Sequence, residues 1–184
     1  MSDIGFGQDK RERLARLLHD RSKHPIPRRL CQSPAPLSFA QARLWFLDRL
    51  GLESPFYNVP LAVRLSGALD AGALEQALCE ELERHEALRT RFAIVNGEPM
   101  QIIDPHRGFT LLINDLSGLP APEAEAIRLA GVEAVQPMDL AAGPLFRACL
   151  LRLGADEHVL FLTLHQFIAD GWSLAVLRRE IAAL

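Results

Sequence analysis

The stretch that most constrains this chain is its last forty residues. PLFRACLLRL and HVLFLTLH flank the short polar segment GADE and read as a pair of β-strands. The second apolar run stops at His165, turns through Asp170-Gly171, and opens onto SLAVLRREIAAL, a helical pattern with Ser173 placed to cap it. A fold that holds this unit must stack helices on a sheet.

The rest of the chain repeats the mixture. Ser38 is a good N-cap for a helix through FAQARLWFLDRL, with a turn over residues 51–55 behind it. NVPLAVRLSG then alternates as a strand, with Leu61, Val63 and Leu65 on one face. Asp70 precedes ALEQALCEELERHE, a strong helical pattern. LRTRFAIV and PMQIID flank Asn96-Gly97, the favoured dipeptide of a tight hairpin. FTLLIND supplies a further strand and EAEAIRLAGVEAVQ a further helix. Hairpins mixed with helical crossovers predict an α+β fold, a mixed β-sheet covered by helices.

The first 37 residues read differently. RERLARLLHD is a short amphipathic helix built on Leu14, Leu17 and Leu18, and HPIPRRLCQSPAP is an extended proline-rich linker. A boundary near Leu37 leaves residues 38–184 as the folded domain.

Composition removes several function classes. With 20 basic and 23 acidic residues the formal charge is -3, so no basic footprint for nucleic acid is present. Cys31, Cys79 and Cys149 are isolated, without the spacing of a zinc site or a disulfide framework, and Cys79 and Cys149 sit in core-like patterns. No apolar run reaches membrane-spanning length and the N-terminus lacks a signal-peptide core, which points to a cytoplasmic protein.

Three stretches carry candidate chemistry. At the strand end, His165 and Gln166 are neighbours, and successive strand side chains point to opposite faces. Only one of them can face a cleft. On the residues alone the stretch reads first as strand, turn and capped helix with one buried histidine, and second as an active-site loop. In SFAQARLWFL, Arg43 lies on an otherwise largely apolar helix; a buried guanidinium there needs a carboxylate such as Asp170, and the alternative is that it snorkels to solvent. RHEALRTRF runs from a helix end into a strand with enough charge for buried or interfacial ion pairs.

In this order the three stretches closely resemble motifs of the condensation domains of nonribosomal peptide synthetases. SxAQxRLW is matched by Ser38, Ala40, Gln41, Arg43, Leu44 and Trp45. RHExLRTxF is matched by Arg84, His85, Glu86, Leu88, Arg89, Thr90 and Phe92. HHxxxDGxS is matched by His165, Asp170, Gly171 and Ser173, with Gln166 where the second histidine belongs. PMDLAAGPLFR is similar to the family's approach to that third motif.

The resemblance implies a lobe like that of chloramphenicol acetyltransferase, two such lobes enclosing a tunnel. It implies peptide-bond formation between a donor acyl or peptidyl thioester and an acceptor aminoacyl thioester. Both are carried on the phosphopantetheine of carrier proteins, with no cofactor bound directly and an adenylation domain adjacent. Residues 1–37 become an inter-module linker and residues 38–184 the N-terminal lobe, with the C-terminal lobe lying beyond Leu184. Carried over by residue, Gln166 occupies the seat of the general base or amine positioner, and His165 is structural. Asp170 pairs with Arg43 to hold the loop, and the Gly171 N–H faces the reacting carbonyl oxygen. A carboxamide lacks a usable basic lone pair near neutral pH, so the site is expected to be disabled, or else the domain is a non-catalytic one that recruits partners. A coenzyme A-dependent acyltransferase of related fold is disfavoured by the RHEALRTRF match, and a cyclization domain by His165, where that relative has an aspartate.

Overall fold

The computed structural model describes residues 33–50 and 57–183. The expected helix in RERLARLLHD, the linker with Cys31, and the turn over residues 51–55 lie outside them. The compact unit holding all the described residues begins at Ser33.

Its elements run in chain order as β1 (Ala35–Pro36), α1 (Phe39–Arg49), β2 (Asn58–Ser66), α2 (Ala71–Arg84), a 3₁₀ turn (Glu86–Arg89), β3 (Thr90–Val95), β4 (Glu98–Ile103), β5 (Leu112–Asp115), α3 (Pro122–Ala134), β6 (Phe146–Arg152), β7 (Glu157–His165) and α4 (Gly171–Ile181). Local chemistry explains the ends. Asp70 accepts hydrogen bonds from the N–H groups of Gly72 and Ala73 and starts α2. Asn96 and Gly97, at φ 53° and 86°, form the expected tight turn between β3 and β4.

A four-stranded sheet in the order β2-β7-β6-β5 is the backbone of the unit. Its pairs are antiparallel except β5 with β6, so the sheet is mixed and the class α+β, as the sequence predicts. Helices cover both faces. Leu160, Leu162 and Leu164 of β7 meet Leu74, Leu78 and Leu82 of α2 and Leu177 of α4. On the other face Val159 and Leu151 meet Ala126 and Leu129 of α3. Burial on two sides is why β7 reads as a nearly unbroken apolar run rather than an alternating one.

The β3–β4 hairpin does not extend this sheet. It pairs instead with Ala35–Pro36, in a separate three-stranded sheet ordered β1-β4-β3. Phe92 draws it against the rest of the unit: its N–H donates to the Leu140 carbonyl across 2.7 Å, and its ring packs with Leu140, Leu145 and Phe167. Leu37 joins this second core, so the segment just before Ser38 is part of the folded unit rather than linker.

Candidate active site

β7 delivers His165 to the end of the sheet, opposite Asn58 of β2. Pairing continues one bond further, since the Gln166 N–H donates to the Tyr57 carbonyl at 2.8 Å. The chain then closes a turn on His165: the N–H groups of Ile168 and Ala169 donate to its carbonyl, and the Phe167 N–H donates to its Nδ1 at 3.2 Å. The expected separation of the two side chains is present. His165 is 6% exposed, while Gln166 faces solvent.

His165 cannot serve as a base here. Burial lowers its pKa to about 4, and its Nδ1 lone pair is taken by the Phe167 N–H. The ring is neutral near pH 7 and wedged between Tyr57 and Phe167, at centroid distances of 6.1 and 5.2 Å.

Asp170 does not pair with Arg43, contrary to the expectation from the motifs. Arg43 sits exposed on α1 with no ion pair to Asp170. The carboxylate instead caps α4, accepting from the Ser173 N–H at 2.8 Å and the Ser173 hydroxyl at 2.7 Å. Those bonds hold its carboxyl below the usual carboxylate range. Ser173, expected to be the cap, lies three residues into the helix and serves the true cap, Asp170. A carboxylate in extended backbone just before a helix satisfies the free N–H groups of the first turn, which removes its need for an arginine. Gly171 begins α4 with an ordinary φ and open space where a Cβ would project, so the fold itself does not demand glycine there.

The residue that ties α1 to the loop is Gln41. Ser38 and Gln41 form a reciprocal capping box, Gln41 N–H to Ser38 Oγ at 3.2 Å and Ser38 N–H to Gln41 Oε1 at 2.9 Å. The free end of the same amide, Nε2, donates to the Phe167 carbonyl at 3.0 Å. The Ser-x-x-Gln spacing was the available signal for the cap; nothing in the sequence marked its second bond.

A cleft of about 450 Å³ opens beside the strand end, walled by Trp45, Arg49, Tyr57, Asn58, His165 and residues 137–141. The Arg49 guanidinium lies 4.8 Å from the centre of the Trp45 ring. Asn58 fixes the far wall by donating from Nδ2 to the Ala134 and Gln136 carbonyls at 2.9 and 2.7 Å. His165 rather than Gln166 lines this cleft. RHEALRTRF, as expected, is a junction of ion pairs: Arg91 with Asp104, and His85 with Glu81 and Glu180. Among the described residues no helix is long and apolar enough to cross a membrane.

Residues 31–184 match the family model for the condensation domain. One of the linear gramicidin synthase polypeptides of Brevibacillus parabrevis is 52% identical over 151 residues, which cover 81% of this chain and 3% of that protein. Phosphinothricin tripeptide synthetase PhsC of Streptomyces viridochromogenes is 46% identical over 162 residues, covering 86% and 15%. Among solved structures, the first condensation domain of the calcium-dependent antibiotic synthetase, in complex with a substrate analogue, superposes with a TM-score of 0.75 at 28% identity. The starter condensation domain of rhizomide synthetase RzmA gives 0.76 at 25%. Each alignment covers 82% of this chain and 36% of the solved one. The chain thus spans only a small part of these relatives.

Proposed function

The chain belongs to the condensation-domain family of nonribosomal peptide synthetases, and we propose that the compact unit beginning at Ser33 is the amino-terminal lobe of such a domain, built to form a peptide bond. The donor is an acyl or peptidyl thioester and the acceptor an aminoacyl thioester, both on the phosphopantetheine arms of carrier proteins, in the cytoplasm. A second lobe from the rest of the domain supplies the other wall of the tunnel.

The observation that carries this reading is the arrangement at the end of β7. Gln166 is exposed at the end of β7, and Gly171, five residues further on, begins α4 with no atom within 4 Å of where a Cβ would project. Its carboxamide hydrogen-bonds an acceptor amine but takes no proton from it. General base catalysis contributes roughly 10²–10⁴-fold in rate, so the glutamine holds the domain near silence if a base is required.

A second reading, recruitment of carrier proteins without chemistry, is favoured by the same glutamine. Gln166→His in the full two-lobed domain separates them, with amide formation from carrier-bound donor and acceptor as readout. A gain of about 10²–10⁴-fold supports the enzyme. Silence with carrier binding intact supports recruitment.

A further inference from the structure

The helices α2 and α4 meet through a charged group that the candidate active site does not use. Glu81 of α2 has no exposed surface, and neither of its carboxyl oxygens has a hydrogen-bond donor directed at it. His85 Nε2 lies 2.6 Å from Glu180 Oε2 and 3.1 Å from Glu81 Oε2. The hydrogen bond of His85 Nε2 is to Glu180. Arg84 stands further off, its Nη1 at 3.7 Å from Glu81 and 3.8 Å from Glu180, with its side chain half exposed. Burial, and then the neighbouring Glu180, push the Glu81 carboxyl above the usual range. Two ionised carboxylates sealed together are costly, and the arrangement is relieved either by a proton shared between Glu81 and Glu180 or by a bound cation.

We propose that Glu81, His85 and Glu180 form a binding site for a divalent transition-metal ion of the zinc type, which staples α2 to α4. One ligand atom from each of the three lies within 4.8 Å of the others. Glu81 and His85 are four residues apart and share one face of α2, while Glu180 reaches across from α4. A zinc ion with tetrahedral bonds of about 2.0–2.2 Å spaces its ligand atoms about 3.3–3.6 Å apart, so His85 Nε2 and Glu180 Oε2, now at 2.6 Å, must part by roughly 0.7–1 Å to admit it. One imidazole and two carboxylates match the donors zinc accepts, and leave a fourth position for water. Calcium and magnesium are excluded by the imidazole and by the small number of oxygens.

On binding, His85 presents a bare Nε2 and keeps its ring proton on Nδ1. Any proton held by Glu81 passes to solvent, and the ion gives this carboxylate a directly bonded positive partner, closer than Arg84 at 3.7 Å. Arg84 withdraws towards water, which its exposure allows. The site stands clear of the loop after β7 and does not depend on the condensation reading.

Thermal melting of the 184-residue chain with added Zn²⁺ near neutral pH tests this. The expected result is a rise in Tm of about 5–10 °C at a hundredfold excess over the dissociation constant. Both His85→Gln and Glu180→Gln should abolish the rise. Cys79→Ser should keep it, which matters because the Cys79 thiol lies 3.3 Å from His106 Nε2 and is the competing soft site. No rise, or a rise that survives Glu180→Gln or vanishes with Cys79→Ser, overturns the proposal. Glu180 is 29% exposed at its side chain, so its glutamine variant carries the comparison even if His85→Gln does not fold.

Discussion

The side-chain amide of Gln41 donates to the carbonyl of Phe167 across 3.0 Å, and this bond joins α1 to the turn that carries the site. The same residue closes the capping box of α1. Two substitutions separate its duties. Gln41→Ala loses both, together with the bond from its Nε2 to Gln101 Oε1 at 3.3 Å, and should destabilise the chain by about 1–3 kcal/mol, read as a lower urea midpoint. Gln41→Glu keeps an acceptor for the Ser38 N–H but has no donor for Phe167, and should cost only about 1 kcal/mol.

Asp170→Ala removes the cap of α4 and should cost about 0.5–2 kcal/mol, with Asp170→Asn losing little. Arg43→Ala should stay within about 0.5 kcal/mol of the parent, as befits an exposed side chain. Equal losses from Asp170→Ala and Arg43→Ala in the same urea titrations would restore the ion pair in place of the cap.

Helices and strands were legible in the residues because the apolar spacing of α2, the alternation of β2 and the Asn96-Gly97 turn are local signals. The loop's motif was legible as a string of residue types. Which partner each side chain takes is not local. Asp170 lies three residues from Ser173 and far along the chain from Arg43, and the nearer donor won. Gln41 and Phe167 are 126 residues apart, and no spacing rule reaches that far. The separation of the hairpin from the main sheet was hidden for the same reason, because Phe92 finds Leu140 only in three dimensions.

His165 makes stability depend on pH. Its folded pKa of about 4 lies below the ordinary value of 6.5, so between those values the unfolded chain binds the extra proton. Stability should be complete above about pH 6.5 and fall as the pH drops towards 4, by roughly 3 kcal/mol from this residue. A histidine NMR titration should show the ring still neutral at about pH 5.5, and His165→Asn should flatten that part of the stability profile.

Gly171→Ala separates fold from reaction. Nothing stands within 4 Å of the added methyl and φ is ordinary, so Tm should hold or rise slightly. In the full domain carrying Gln166→His, amide formation should nonetheless fall if, as proposed, the Gly171 N–H meets the donor carbonyl. Unchanged turnover would remove Gly171 from the site.

Phe92 tests the second core. It is 0% exposed and meets Phe167 edge-on at 4.8 Å between ring centres. Phe92→Ala should cost about 3–5 kcal/mol in urea unfolding, and the Phe167 turn should show faster amide exchange than β7.

Because both faces of β7 are packed, its length in residues acts as an address. Deleting one residue between Glu157 and Phe161 would shift every later side chain by half a pleat, delivering Gln166 to the socket made for His165 and turning Phe167 outward. Helix α4 would still be encoded, and so would its cap, yet the loop would present the wrong group. In this unit the identity of the exposed residue is therefore set by counting along a buried strand as much as by which amino acid is written at position 166.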